Sequence, residues 1–215
     1  MSMMQRRSLM NSKLPTSNYE AVDLGLPSGT LWADRNLGAS SETEAGLYFA
    51  WGETTGYVDG NARNTALGLT GGFDATAYTA TGASSISSDL TLAQDAAYTN
   101  MGGLWRMPTE LELLELVNTS YTDTEWTTIN GVKGKKFMKK SDHSVYVFFP
   151  ADSCWSGMSH DTRMLNGRYW VNKYNRGSNT ASFLFINDSH AFKSTGYGGD
   201  GYTIRAVMNQ PELET

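Results

Sequence analysis

Apolar and polar positions along this chain form short, broken patterns rather than long periods, and most of the elements they predict are strands. Tyr19, Ala21 and Leu24 suggest alternation, Leu26-Pro27-Ser28-Gly29 has turn chemistry, and Thr30-Leu31-Trp32-Ala33 resumes an extended run. This predicts a hairpin opening an all-β or α+β domain. Residues 45–52 read as a further short aromatic strand. From 54 to 100 the chain is rich in Thr, Ala, Ser and Gly with weak periodicity, so it is expected to pack as an insertion, with a short helix over Leu90–Tyr98 capped by Asp89.

The clearest helix signal follows. Thr109 with Glu112 three residues on is a capping box. Leu111, Leu114 and Val117 can share the buried face, widened by Leu113 and Leu116, which leaves Glu110, Glu112 and Glu115 as a solvated face beside the positive end of the helix dipole. Trp126–Met138 and Ser144–Pro150 read as strands, and Asn130-Gly131 is a strong hairpin signal. Lys133, Lys135, Lys136, Lys139 and Lys140 fit a lysine-protected edge strand, with a polyanion contact as the alternative. The core is expected to hold Trp32, Trp51, Trp105, Leu111, Leu114, Phe148 and Trp170.

Between Ala151 and Asp200 the texture changes. Apolar islands at Tyr169–Val171, Phe183–Ile186 and Tyr202–Val207 alternate with irregular stretches mixing Asn, Ser, Tyr, Arg, Trp and His. Tyr and Trp offer contact area at small entropic cost, and Asn and Ser offer adaptable hydrogen bonds. Trp155, Met158, Met164, Leu165 and Phe192 are costly to place on plain solvent loops. The candidate ligand-binding residues are Trp155, His160, Arg163, Arg168, Asn172, Tyr174, Asn175, Arg176, Asn187, Ser189, His190 and Lys193, expected to share one exposed face, with Tyr169, Trp170, Phe183 and Phe185 as inward support.

Composition narrows the chemistry. The formal charge of −5, from 17 basic and 22 acidic side chains, argues against a nucleic-acid partner bound by phosphate neutralisation. One cysteine, Cys154, excludes an internal disulfide and a zinc site of Cys-pair type. No apolar run approaches the roughly 20 residues that a bilayer crossing needs. Residues 1–18 read as a Met-rich arm, either a frayed terminus or an attachment or oligomerisation element, and the start lacks the apolar stretch of a secretory signal.

Asp23-Leu-Gly-Leu-Pro-Ser-Gly-Thr-Leu-Trp-Ala33, Leu37-Gly-Ala39, Gly46-Leu-Tyr-Phe-Ala-Trp-Gly-Glu-Thr54, Trp105-Arg-Met-Pro-Thr-Glu110 and Phe149-Pro-Ala151 together resemble a family of gut bacteria and their phages. Its members have a C-type lectin fold of the formylglycine-generating-enzyme type. The irregular stretches after Phe149-Pro-Ala151 are similar to the variable proteins of diversity-generating retroelements. The resemblance implies an α+β, C-type lectin-like domain over 19–208, with a small twisted antiparallel sheet and flanking helices, between the 1–18 arm and a 209–215 tail. It implies a non-enzymatic protein that binds a cell-surface protein or glycan receptor, on a phage tail or at a cell surface. Adhesin and structural virion or pilus-like roles are the alternatives, and homo-oligomerisation is left open. Oxidase relatives of this fold need a cysteine pair, which this chain lacks, and sugar-binding lectins of the fold use calcium triplets that Ile186-Asn187-Asp188 matches only in part. No catalytic residue, cofactor or metal is therefore expected. Asn187, Asp188, Asp161 and Asp200 are the oxygen donors to revisit should chelation destabilise the chain. A Cys154–His160 nucleophile pair has no third group in the sequence to orient it.

Overall fold

A computed structural model of the protein describes residues 19–152, 154–160 and 164–210. The opening hairpin forms as β1 (Ala21–Val22) and β2 (Thr30–Ala33), paired antiparallel, with Gly29 at φ 69° donating its N–H to the Leu26 carbonyl. The run at 45–52 makes only single bridges, Tyr48 to Tyr57 and Phe49 to Tyr202.

The stretch 54–100 is more structured than its pattern suggests. It holds α1 (Gly60–Leu67), α2 (Ala75–Ala80) and α3 (Ala96–Met101), capped by the carboxylates of Asp59, Asp74 and Asp95. The helix expected at Leu90–Tyr98 is a 3₁₀ turn at Leu92–Gln94 followed by α3, so Asp95 is the helix cap rather than Asp89. Tyr48, Ala50, Phe73, Tyr78 and Ala83 give this region an apolar cluster of its own. Its centre is Arg63, fully buried, which bonds to Glu53 and to the Gly72 carbonyl and lies 4.8 Å over the Phe73 ring.

Helix α4 (Glu110–Leu116) carries the expected capping box, but it is rotated from the expected register. Leu113 and Leu116 are buried, while Leu111 and Leu114 are 74% and 44% exposed. The cause is Glu112. Its carboxylate turns inward to the Arg106 guanidinium at 2.6 and 2.7 Å, the Thr109 N–H at 2.8 Å and the Thr30 hydroxyl at 2.8 Å, so a glutamate occupies the buried side. Glu110 bonds Lys193 and Glu115 accepts from the Ser28 N–H, so the three glutamates are not simply a solvated face.

Strands β3 (Thr122–Ile129), β4 (Val132–Lys139) and β5 (Asp142–Pro150) form a meander. Asn130 and Gly131, at φ 49° and 83°, take the left-handed pair of conformations that a tight hairpin demands. The lysine-rich strand is the central one, not an edge, and most of the lysines in and beside it are absorbed individually. Lys135 is buried against the Asp188 carbonyl, Lys136 lies 4.2 Å over the Tyr146 ring, and Lys139 and Lys140 pair with Asp23 and Asp123.

After the short β6 (Trp155–Ser156) and β7 (Ser159–His160), the chain builds β8 (Asn166–Asn175), β9 (Thr180–Asn187) and β10 (Ala191–Gly196), ordered β10-β9-β8. This sheet is covered on both faces. Trp170, Ala181 and Phe183 enter one core cluster with Trp51, Trp105 and Tyr202, and Tyr169, Val171, Leu184 and Ile186 enter another with Trp32, Leu113 and Phe149. The β8–β9 register slips between Trp170 and Tyr174, where the Asn172 carbonyl accepts from Leu90 N–H and its own N–H donates to the Pro108 carbonyl. Finally β11 (Val207–Asn209) pairs with β2, joining the two ends of the described chain. The fold is α+β, with several small antiparallel sheets rather than one. All the tryptophans expected in the core are buried, as is Phe148.

The buried Arg205 knits these layers together. Its guanidinium donates to Asn36 Oδ1 and to the carbonyls of Ala33, Asp34 and Phe148, over the Phe149 ring at 4.5 Å. Burial lowers its pKa to about 10, which still leaves it charged at neutral pH.

Candidate functional site

The candidate binding residues do not share one face. Asn166 and Asn175 stand at opposite ends of β8, about 30 Å apart at the rise of an extended strand. The sheet therefore has two ends, and several of the candidates divide between them.

At the Asn166 end, cross-strand register places Arg168 beside Phe185 and Phe185 beside Phe192. Side chains directly opposite in a sheet lie on the same face, so these three form a row across three strands. The Phe185 and Phe192 rings are 5.1 Å apart, the His190 ring is 6.4 Å beyond Phe192, and Phe192 is 44% exposed. On the other flank, Arg168 Nη1 donates to the Tyr202 hydroxyl at 3.3 Å, which donates in turn to Asp200 at 3.2 Å. Arg168 Nε is buried without a hydrogen-bond partner. Burial raises the Asp200 carboxyl pKa above its ordinary value, against the opposing hydrogen bonds of Ser156 and Tyr202. Met164 and Leu165 stand exposed at the entrance to β8, Met164 in the left-handed region at φ 52°. Asn187 pairs with Asn166 across the same end, and its Oδ1 accepts from the N–H groups of Ser189 and His190, which shapes the β9–β10 turn. The segment expected as an irregular gap from Asn187 to Ser194 is thus a turn and the start of β10.

Trp155 and His160 form a separate cluster. Their rings stack at 4.8 Å and 13°, and His160 Nε2 lies 3.1 Å from the Tyr48 hydroxyl and 3.2 Å from Asp152 Oδ1. Burial, then the Asp152 charge, pushes the Tyr48 phenol far above its ordinary pKa, so it stays protonated. Cys154 is buried nearby in sequence but belongs to the core cluster of Trp170.

At the far end, Tyr174, Asn175 and Arg176 line a cleft of about 740 Å³ with Asp89 and Lys173. Asp89, expected as a helix cap, instead accepts from the Tyr174 N–H at 3.0 Å and pairs with Lys173 at 3.1 Å. Asn175 donates to the Ser182 hydroxyl, and Asn172 is held through its backbone. Lys193 lies on the opposite face of the sheet from Arg168, bonded to Glu110 of α4. Arg163 lies outside the described residues, as does Asp161.

Sequence reasoning missed Tyr48 and Asp152, and it treated Asp200 only as an oxygen donor. Nothing local marks Tyr48, because its contact with His160 spans 112 positions. Among the described residues, no three His, Cys, Asp or Glu side chains gather as a metal site, and no helix is long and apolar enough to cross a membrane. No family model matches the chain, and neither a curated protein nor a solved structure shows significant similarity to it.

Proposed function

We propose that the protein is a non-enzymatic receptor-binding protein that presents a variable surface on a C-type lectin-like scaffold, acting on a phage or prophage particle against a cell-surface macromolecule. The observation that carries this reading is the row His190–Phe192–Phe185–Arg168–Asp200. Exposed aromatic surface and an incompletely bonded arginine lie side by side on three paired strands, with a partly buried carboxylate on the adjoining turn, and aromatic and arginine side chains dominate interface hot spots. His190 and Phe192 are exposed and can change identity without loss of the core, whereas Phe185 packs against it.

The test has two arms. In the flanking DNA, a near-copy of the codons for 151–205, with adenines at the variable positions and beside a reverse transcriptase, is expected. In binding, immobilised protein is expected to capture intact gut-bacterial cells, and the triple variant Arg168→Ala, His190→Ala, Phe192→Ala is expected to lose capture with a melting temperature near the parent's. Loss of fold together with capture would make the row structural. A second reading, a structural component that self-assembles, draws on the exposed Leu104, Leu111 and Leu114. Sedimentation as a single chain at micromolar concentration would remove it.

A further inference from the structure

At the hairpin end of β8–β9, a cavity of about 290 Å³ opens beside the larger cleft and shares Tyr174 with it. Its walls are aromatic. The Tyr174 ring is stacked on buried Trp51 at 5.8 Å and 27°, and the Tyr197 ring, 43% exposed, is backed edge-on by buried Tyr78 at 5.7 Å and 77°. These supports are themselves fastened. The Tyr78 hydroxyl donates to the Trp51 carbonyl at 3.0 Å, and the Trp51 N–H donates to the Gly198 carbonyl at 2.7 Å. A Cβ at position 198 would stand 2.4 Å from the Tyr78 hydroxyl oxygen, so glycine is what lets the Tyr197 segment close on the ring beneath it.

The rim has a different character. Ser84, Ser87, Asn179 and Thr180 supply hydroxyl and amide groups, and no charged side chain lines the cavity. Two braced aromatic faces inside a neutral ring of hydrogen-bonding groups match a molecule with an apolar C–H face and a girdle of hydroxyls. A cationic or anionic group would find no counter-charge here, and a purely apolar one would strip water from the rim without replacing its hydrogen bonds. The volume is at the small end of ligand cavities, which run from roughly 300 Å³ upward.

We propose that this cavity is a saccharide subsite that takes one neutral pyranose of a glycan, without a metal ion. The adjoining cleft toward Asn175 and Arg176 gives the next sugar units room to continue. The cavity shares no side chain with the receptor-binding row: Tyr174 stands six positions along β8 from Arg168, and the two sites meet where the Asp200 N–H donates to the Tyr197 carbonyl at 3.2 Å.

Saturation-transfer NMR tests this with a panel of methyl glycosides of glucose, galactose, mannose and N-acetylglucosamine at millimolar concentration, in EDTA. At least one is expected to receive saturation on its ring C–H protons. Tyr197→Ala is expected to abolish the transfer, and Tyr197→Phe, which keeps the ring, is expected to retain it. Arg168→Ala is expected to leave it unchanged, so failure of the receptor-binding reading and failure of this one give separate results. Absence of transfer to every glycoside, transfer that survives both Tyr197→Ala and Tyr174→Ala, or transfer that vanishes in Arg168→Ala would each overturn the assignment.

Discussion

The 54–100 region and the α4 corner each turn on an arginine–glutamate pair, yet the pairs are built differently. Arg63 and Glu53 are sealed, with side chains 0% and 6% exposed, and Arg63 Nε has no partner. Arg106 is 23% exposed, and Glu112 shares its carboxylate among Arg106, Thr109 and Thr30. Each carboxylate has one cationic partner, but Glu53 adds only the Thr81 hydroxyl, whereas Glu112 adds the Thr109 N–H and the Thr30 hydroxyl in a network reaching three segments of chain. A buried ion pair contributes little net stability when intact, but losing one member strands the other. The contrast therefore predicts brittleness at Arg63 and graded, pH-dependent behaviour at Glu112.

The largest effect is expected from Arg63→Leu, which leaves Glu53 buried without its cation and should cost about 3–5 kcal/mol in urea unfolding. Replacing both members, Arg63→Leu with Glu53→Leu, should recover much of that. A single variant as stable as the parent would show that the pair is not sealed.

Next comes the acid response of Glu112. Burial alone would push its carboxyl up, but the Arg106, Thr109 and Thr30 contacts outweigh it and hold the pKa at about 2, against an ordinary 4.5. A depressed carboxyl contributes stability that is present above its unfolded pKa and is lost as pH falls through the folded one. Roughly 3 kcal/mol should thus disappear between about pH 4.5 and 2. Glu112→Gln is expected to remove that part of the acid slope, and an unaltered slope would mean that the network does not hold the charge.

The helix register sharpens the same corner. Leu113→Ala should cost about 2–5 kcal/mol, whereas Leu111→Ala should stay within about 0.5 kcal/mol. Equal costs would restore the register that the leucine spacing suggests. The smallest effect is expected from EDTA. Both arginine–glutamate pairs are held by groups of the chain itself, and among the described residues no three His, Cys, Asp or Glu side chains gather as a metal site. The melting temperature should therefore not move, and a large shift would reopen Asn187, Asp188 and Asp200 as ligands.

These contrasts also explain what was readable in advance. Asn130-Gly131 and the Thr109–Glu112 box were legible because each solves a local problem, a left-handed turn or an orphaned N–H, with residues adjacent in sequence. The buried face of α4 was not, because five apolar residues in seven positions from Leu111 to Val117 leave no unique stripe, and the choice fell to an inward-turned glutamate. Helices α1 and α2 were missed because their burial falls on few residues, Gly60 and Arg63 in one and Ala77 and Tyr78 in the other, and so leaves no apolar period. The lysines looked like an edge because a strand's neighbours are invisible in its own residues. At the candidate site, composition marked Arg168, Asn187 and His190. The alignment with Phe185 and Phe192 depended on inter-strand register, and the distance to Tyr174–Arg176 on how long β8 runs unbroken.

The slip in register between Trp170 and Tyr174 has a consequence for how this molecule changes over generations. On one side of it, the pairings from Asn166 to Trp170 align Arg168 with Phe185; on the other, only Tyr174 with Ala181 and Asn175 with Thr180 remain before the turn. Asn172 is clamped by its backbone to Leu90 and Pro108, so a codon gained or lost between Arg176 and Asn179 is taken up outboard of the clamp. The slip works as a clutch. The tip can lengthen or shorten, and remodel the cleft beside it, while the row at the other end keeps its alignment, so the two ends of one sheet are free to drift at different speeds.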